Sequence, residues 1–74
     1  MKSKYVVLRE TGYDFANGHW SYSKVKTFKN EPEAIAFITD QKNLYMYGEL
    51  FLEHYSADGK QYGWDSCKQV WIAR

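Results

Sequence analysis

The segment Lys29-Asn30-Glu31-Pro32-Glu33 divides the chain into parts of different period. Asn30 is a good N-cap, because its side chain accepts a hydrogen bond from a free amide of a first helical turn. Pro32 fits that first turn, where its missing N–H has no intrahelical partner anyway. Glu31 and Glu33 complement the positive end of the helix dipole. Ala34, Ile35, Phe37 and Ile38 then recur at helical spacing. The spacing predicts a helix over residues 31–42, with Asn43 as its C-terminal stop.

Before this punctuation the period is two. Tyr5 to Glu10 is β-branched and aromatic, and it ends at Thr11-Gly12. Tyr5, Val7 and Arg9 share one face of that strand, and Val6, Leu8 and Glu10 the other. Asn17-Gly18 marks a turn, since both residues tolerate positive φ. His19 to Phe28 alternates again, with Trp20, Tyr22, Lys24, Lys26 and Phe28 expected on one face. These two strands are expected to form an antiparallel hairpin. After the helix, Tyr45 to Glu49 reads as a lead-in or the start of a strand, and Leu50 to Tyr55 as a strand. Ala57-Asp58-Gly59-Lys60 carries an Asp-Gly hairpin turn, and Gln61 to Trp64 returns from it. Asp65-Ser66 interrupts the pattern. Residues 67–73 are too short for periodicity to separate a strand from a short helix capped by Asp65. The expected order is β-β-α-β-β, with the last strand single or split. This is a small α+β domain spanning residues 1–74, an antiparallel sheet with one helix across one face.

The 74 residues leave room for one domain. With 45% hydrophobic and 26% charged residues the chain is globular rather than disordered. The net charge of +1 implies no global attraction to nucleic acid or membrane. Lys2, Lys4, Arg9, Lys24, Lys26 and Lys29 outnumber the acids of the first thirty residues, and acids prevail afterwards. Cys67 is the single cysteine, so no internal disulfide framework exists. The first residues lack the apolar run of a signal peptide. A reducing, cytoplasmic location is the expectation.

Catalytic and metal chemistry find little here. His19, His54 and Cys67 are the nitrogen and sulfur ligand candidates, and they lie far apart without paired spacing. Cys67 and His54 sit in no nucleophile motif, and Cys67 beside Trp64 and Trp71 reads as a small buried hydrophobe. Glu49 and Glu53 on one strand face stand roughly 13 Å apart by the strand rise, wider than a glycosidase pair. Gly12 and Gly18 lie in a hairpin connection, not in a phosphate loop. The expectation is no enzyme, no catalytic residue, no metal and no cofactor.

Seven Tyr, four Phe and three Trp are the outlying number. One helix supplies only Phe37 and covers part of the sheet; its side of the core takes about half of the remaining aromatics, such as Phe28, Phe51 and one or two Trp, so the rest must be half exposed or lie on the open face. Exposed Tyr and Trp are favoured where a partner docks. Trp20, Tyr22, Tyr62 and Trp64 are the candidate partner-binding residues on the face the helix leaves uncovered. Ser21, Ser23 and Gly63, between them, would then make room for the helix on the other side; the alternative register buries Trp20 and Trp64 under the helix and exposes the serines. The functional expectation is a small binding protein that acts by protein–protein contact as an inhibitor or adaptor. A stand-alone domain of this size suits a phage or mobile-element protein that blocks a host factor. A homodimer is a further expectation, because so small a domain gains stability by association. The alternative is nucleic-acid or nucleotide binding on an aromatic and basic sheet face, with Lys24 and Lys26 as anion contacts.

Overall fold

In the computed structural model, which describes residues 2–74, five antiparallel strands form one sheet and two helices pack on one side of it. The strands are β1 (Lys4–Asp14), β2 (His19–Phe28), β3 (Leu50–Tyr55), β4 (Gln61–Asp65) and β5 (Val70–Ala73). Between β2 and β3 run α1 (Glu31–Thr39) and α2 (Gln41–Tyr47). The spatial order is β2-β1-β3-β4-β5, which puts β1 and β3 at the centre and β2 and β5 at the edges. Both hairpins form as their turn residues require. Residues 67–73 contain a strand, and the last two strands are separate.

The helical region departs from the sequence reading after its start: two helices replace the expected one. The helix begins at Glu31, and the Asn30 side chain accepts from the Glu33 amide at 3.0 Å. It ends at Thr39 rather than Lys42. The Thr39 hydroxyl donates back to the Ile35 and Ala36 carbonyls, at 2.9 and 3.2 Å. Asp40 is extended and caps a second helix by accepting from the Lys42 amide at 2.9 Å. Asn43, expected as the stop, lies inside α2, and its side-chain amide donates to the Phe37 carbonyl of α1 at 3.0 Å. One asparagine thereby satisfies a carbonyl that the early end of α1 leaves free. Tyr45 to Tyr47 belong to α2, and Gly48, at φ 78°, ends it.

The core lies between the helices and the sheet. Val7, Leu50 and Leu52 from the central strands meet Ala34 and Ile38 of α1. Tyr5, Val25, Phe28, Trp64, Trp71 and helical Ile35, Phe37, Leu44 and Tyr47 pack around them. A second layer of aromatics extends this side toward β5. His54 stacks on Tyr5 with ring centroids 4.3 Å apart and faces Tyr62 at 5.8 Å. The Ser3 hydroxyl lies 2.7 Å from His54 Nε2. The Trp71 indole N–H donates to the Glu31 carboxylate and so ties β5 to the start of α1.

A bulge in β2 changes the face of its second half. Val7 opposes Lys26 and Leu8 opposes Lys24, which leaves Val25 as the extra residue. Strict alternation from Trp20 to Phe28 therefore fails at Val25. Tyr22 and Lys24 face away from the helices with Glu10 and Leu8. Lys26 and Phe28 face the helices with Val7 and Tyr5.

Candidate functional site

Strand alternation decides what the bare side of the sheet carries. Leu50 and Leu52 enter the core, so Phe51 between them points the other way. Leu8 is its cross-strand neighbour, and Tyr22 meets its ring edge-on with centroids 5.4 Å apart. Leu8, Tyr22, Phe51, Glu53 and Arg74 line a small depression there. A wider, shallower one adjoins it over Gly63, bounded by Phe51, Asp65 and Ile72. Gly63 itself is buried beneath Arg74, since a Cβ at that position would stand 2.7 Å from Nη2.

The aromatic line continues along the first hairpin. Trp20 lies two residues from Tyr22 on the same strand side, and each is 49% exposed. Across the hairpin Tyr13 holds Trp20 and Phe15 edge-on, with both centroid distances 5.0 Å. Phe15, in the connecting turn, is 89% exposed. Asp14 organises that turn by accepting from the Ala16 and Asn17 amides and from the Asn17 side chain. These bonds, the Asn17 side chain foremost, hold its carboxyl below the ordinary aspartate range. At the other end of the bare face, burial pushes the Tyr55 phenol upward, and the Glu53 charge adds to the effect.

The four candidate partner-binding residues are divided by the sheet. Trp20 and Tyr22 lie on the bare side. Tyr62 opposes His54, and Trp64 opposes Trp71, on the side the helices cover. Trp64 and Trp71 meet at 5.0 Å and pack against the core. Tyr62 and Trp64 therefore belong to the covered side, and the expectation that all four share one surface is corrected. The same pairing corrects the reading of Gly63. It makes room for the Arg74 guanidinium on the bare side rather than for a helix on the other.

The two candidate anion contacts are also separated. Lys24 stands on the bare side beside Leu8, whereas the Lys26 ammonium lies over the Phe28 and Phe37 rings, 5.1 and 5.8 Å from their centroids. Cys67, expected as a small buried hydrophobe, is exposed in the turn between β4 and β5. Asp65 shapes that turn by accepting from the Cys67 and Lys68 amides. Among the described residues, no three or more His, Cys, Asp or Glu gather as a metal site. No helix of the described residues is long and apolar enough to cross a membrane.

Four residues at or beside the bare face escaped the sequence reading, Tyr13, Phe15, Ile72 and Arg74, and Phe51, expected under the helix, lies on the bare side instead. Phe51 carried the clearest signal, since it stands between two leucines that a single covered face must take. Comparison of the chain with protein-family models, curated proteins and solved structures finds no match.

Proposed function

We propose that this chain is a non-catalytic binding protein that occupies a protein partner, as an inhibitor or adaptor, through the bare face of its sheet. The observation that carries this reading is the aromatic line of exposed Tyr13, Trp20 and Tyr22, which runs into half-buried Phe51 and ends against Arg74, with both helices on the opposite side. Aromatic rings beside arginine are the side chains on which protein interfaces concentrate their energy. The charge on that face is mixed. Lys4, Lys24 and Arg74 stand among Glu10, Glu53 and Asp65. A polyanion needs cations in excess along its track. Turning Lys26 to the covered side removes one of the two lysines on which a nucleic-acid reading relied. In this reading the effect on the partner comes from occupancy alone.

Affinity purification from the host tests this reading. The expected result is a stoichiometric protein, captured by the wild type and lost with Tyr22→Ala or Trp20→Ala. Each substitution is expected to weaken binding by ~2 kcal/mol or more while the thermal melt is largely retained. Recovery of nucleic acid or a nucleotide without protein would favour the alternative.

A further inference from the structure

We infer that two copies of the chain pair antiparallel along β2, about a two-fold axis at Ser21, and so join their sheets into one. This interface uses the edge of the sheet rather than its bare face. The inference therefore stands or falls separately from the partner reading above.

The sheet ends in two edge strands, and each presents unpaired N–H and C=O groups. Edges are ordinarily guarded by shortness, charge, proline or a bulge. β5 is guarded by its four residues. The second half of β2 is guarded by the bulge at Val25 and by Lys24 and Lys26. His19-Trp20-Ser21-Tyr22-Ser23 has none of these devices: the five residues are consecutive, exposed, and include no Lys, Arg, Asp, Glu or Pro. The register shift near this stretch arises from β1, where Gly12 rather than Thr11 opposes Ser21, so β2 itself runs straight there.

A two-fold axis normal to the sheet keeps the helices of both copies on the same side, and it must pass through a residue, because opposed residues share a face. Centring it on Ser21 sets Trp20 opposite the partner's Tyr22, and Tyr22 opposite the partner's Trp20. Cross-strand aromatic pairs of this kind stabilise sheets. His19 meets Ser23. Lys24 meets Gly18, which offers no side chain to clash and whose amide donates to the Asp14 carbonyl. The lysine thus arrives at the turn that holds the Asp14 carboxylate. No lysine opposes a lysine, and the bulge stays outside the paired stretch. Moving the axis to Tyr22 sets His19 against the bulged Val25. Moving it to Trp20 sets Tyr22 against Gly18 and leaves it with no aromatic residue opposite it across the new pairing. The joined sheet runs the aromatic line of one copy into that of the other. With a net charge of only +1 per chain, long-range repulsion between copies is small.

Sedimentation velocity over a concentration series reads the assembly. The wild type is expected to move from the 8.8 kDa of one chain to twice that mass as concentration rises. Ser21→Lys and Ser21→Asp each set like charges face to face across the axis, yet either residue is benign on an exposed edge. Each variant alone is expected to dimerise at least about tenfold more weakly, and an equimolar mixture to recover the dimer. In a Cys67→Ser background, Ser21→Cys is expected to cross-link two chains on oxidation, because opposed Cα atoms lie within disulfide reach. Ser23→Cys, opposite His19, is expected to cross-link far more slowly. Circular dichroism confirms that each variant folds. A wild type that stays at the mass of one chain overturns the inference. So does a dimer indifferent to both charges at Ser21, or equal cross-linking from Ser21 and Ser23.

Discussion

Phe51 and Leu52 are neighbours on the central strand β3, and the fold uses them in opposite ways. Leu52 is 2% exposed and is enclosed by Val7, Ala34 and Ile38. Phe51 lies on the bare side, with Tyr22 against its edge and Arg74 near its rim. The bare side is nonetheless built partly as a covered one is. Val6, beside Glu53 and Thr27, is 3% exposed although it is no member of the cluster under the helices. The covered side spends its aromatics on packing, with Tyr5, His54, Trp64 and Trp71 in mutual contact. On the bare side the aromatics form a line that ends in solvent. A surplus of aromatic residues in a short chain thus has two separate causes. One is a small core that needs large side chains; the other is a surface that stays open.

The largest expected contrast is between those two neighbours. Leu52→Ala should lower stability by ~3–5 kcal/mol in a denaturant titration, since it removes a fully enclosed side chain that α1 cannot follow inward. Phe51→Ala should cost less, about 1–2 kcal/mol, because its partly buried ring is covered only by Leu8, Tyr22 and Arg74, with no helix over it. Equal costs at the two positions would break the comparison between faces.

The tryptophans give the next largest effect. Trp64→Ala should cost about 3 kcal/mol of stability through lost contact with Trp71 and the core. Trp20→Ala should change stability by no more than about 1 kcal/mol, since Tyr13 is its main neighbour. The binding loss should follow Trp20 and not Trp64 once the melting temperature is accounted for. Matching stability losses at both positions would show that the hairpin end is part of the core.

Gly63→Ala sharpens the comparison at its centre. The new methyl meets the far end of a flexible arginine rather than backbone. Arg74 should swing aside, with stability within about 0.5 kcal/mol of the wild type. A large destabilisation would mean that Arg74 is fixed as core side chains are.

The smallest effect concerns acid. Asp14 titrates below the ordinary aspartate range because its ionised form accepts the turn hydrogen bonds. Its contribution to stability is therefore present above the unfolded aspartate pKa and lost as pH falls through the lowered folded value. Melting temperatures of the wild type and Asp14→Asn should converge as pH is lowered toward that value. A gap that stays constant into acid would remove the carboxylate from the account of the turn.

Much of the fold was legible because it rests on local chemistry. Asn30, Pro32 and the two glutamates mark a helix start that no packing decision can move far. Asn17-Gly18 and Asp58-Gly59 mark two turns for the same reason. Three features were hidden, each for a physical reason. The bulge at Val25 inserts one residue, and period-two reading carries through it with the wrong face beyond. The end of α1 depends on Thr39 and Asp40 competing with the helix for backbone groups, which breaks the helix at Asp40 and leaves Gln41 and Lys42 to start α2. The face of Tyr62 and Trp64 is set by their pairing with His54 and Trp71, and that register is a property of the assembled sheet. Alternation within β4 links Tyr62 to Trp64 but leaves the covered side undecided. The candidate site was accordingly half legible: Trp20 and Tyr22 were placed on the bare face, and Tyr62 and Trp64 on the wrong one.

The central claim is that the bare face is the working surface and the covered face is for folding. Hydroxyl-radical footprinting of the chain, alone and saturated with its captured partner, reads this side chain by side chain. Oxidation of Tyr22, Phe51 and Trp20 is expected to fall on binding, while Tyr62, Trp64 and Trp71 keep their rates. Protection of Tyr62 and Trp64, with Tyr22 and Phe51 unchanged, would contradict it.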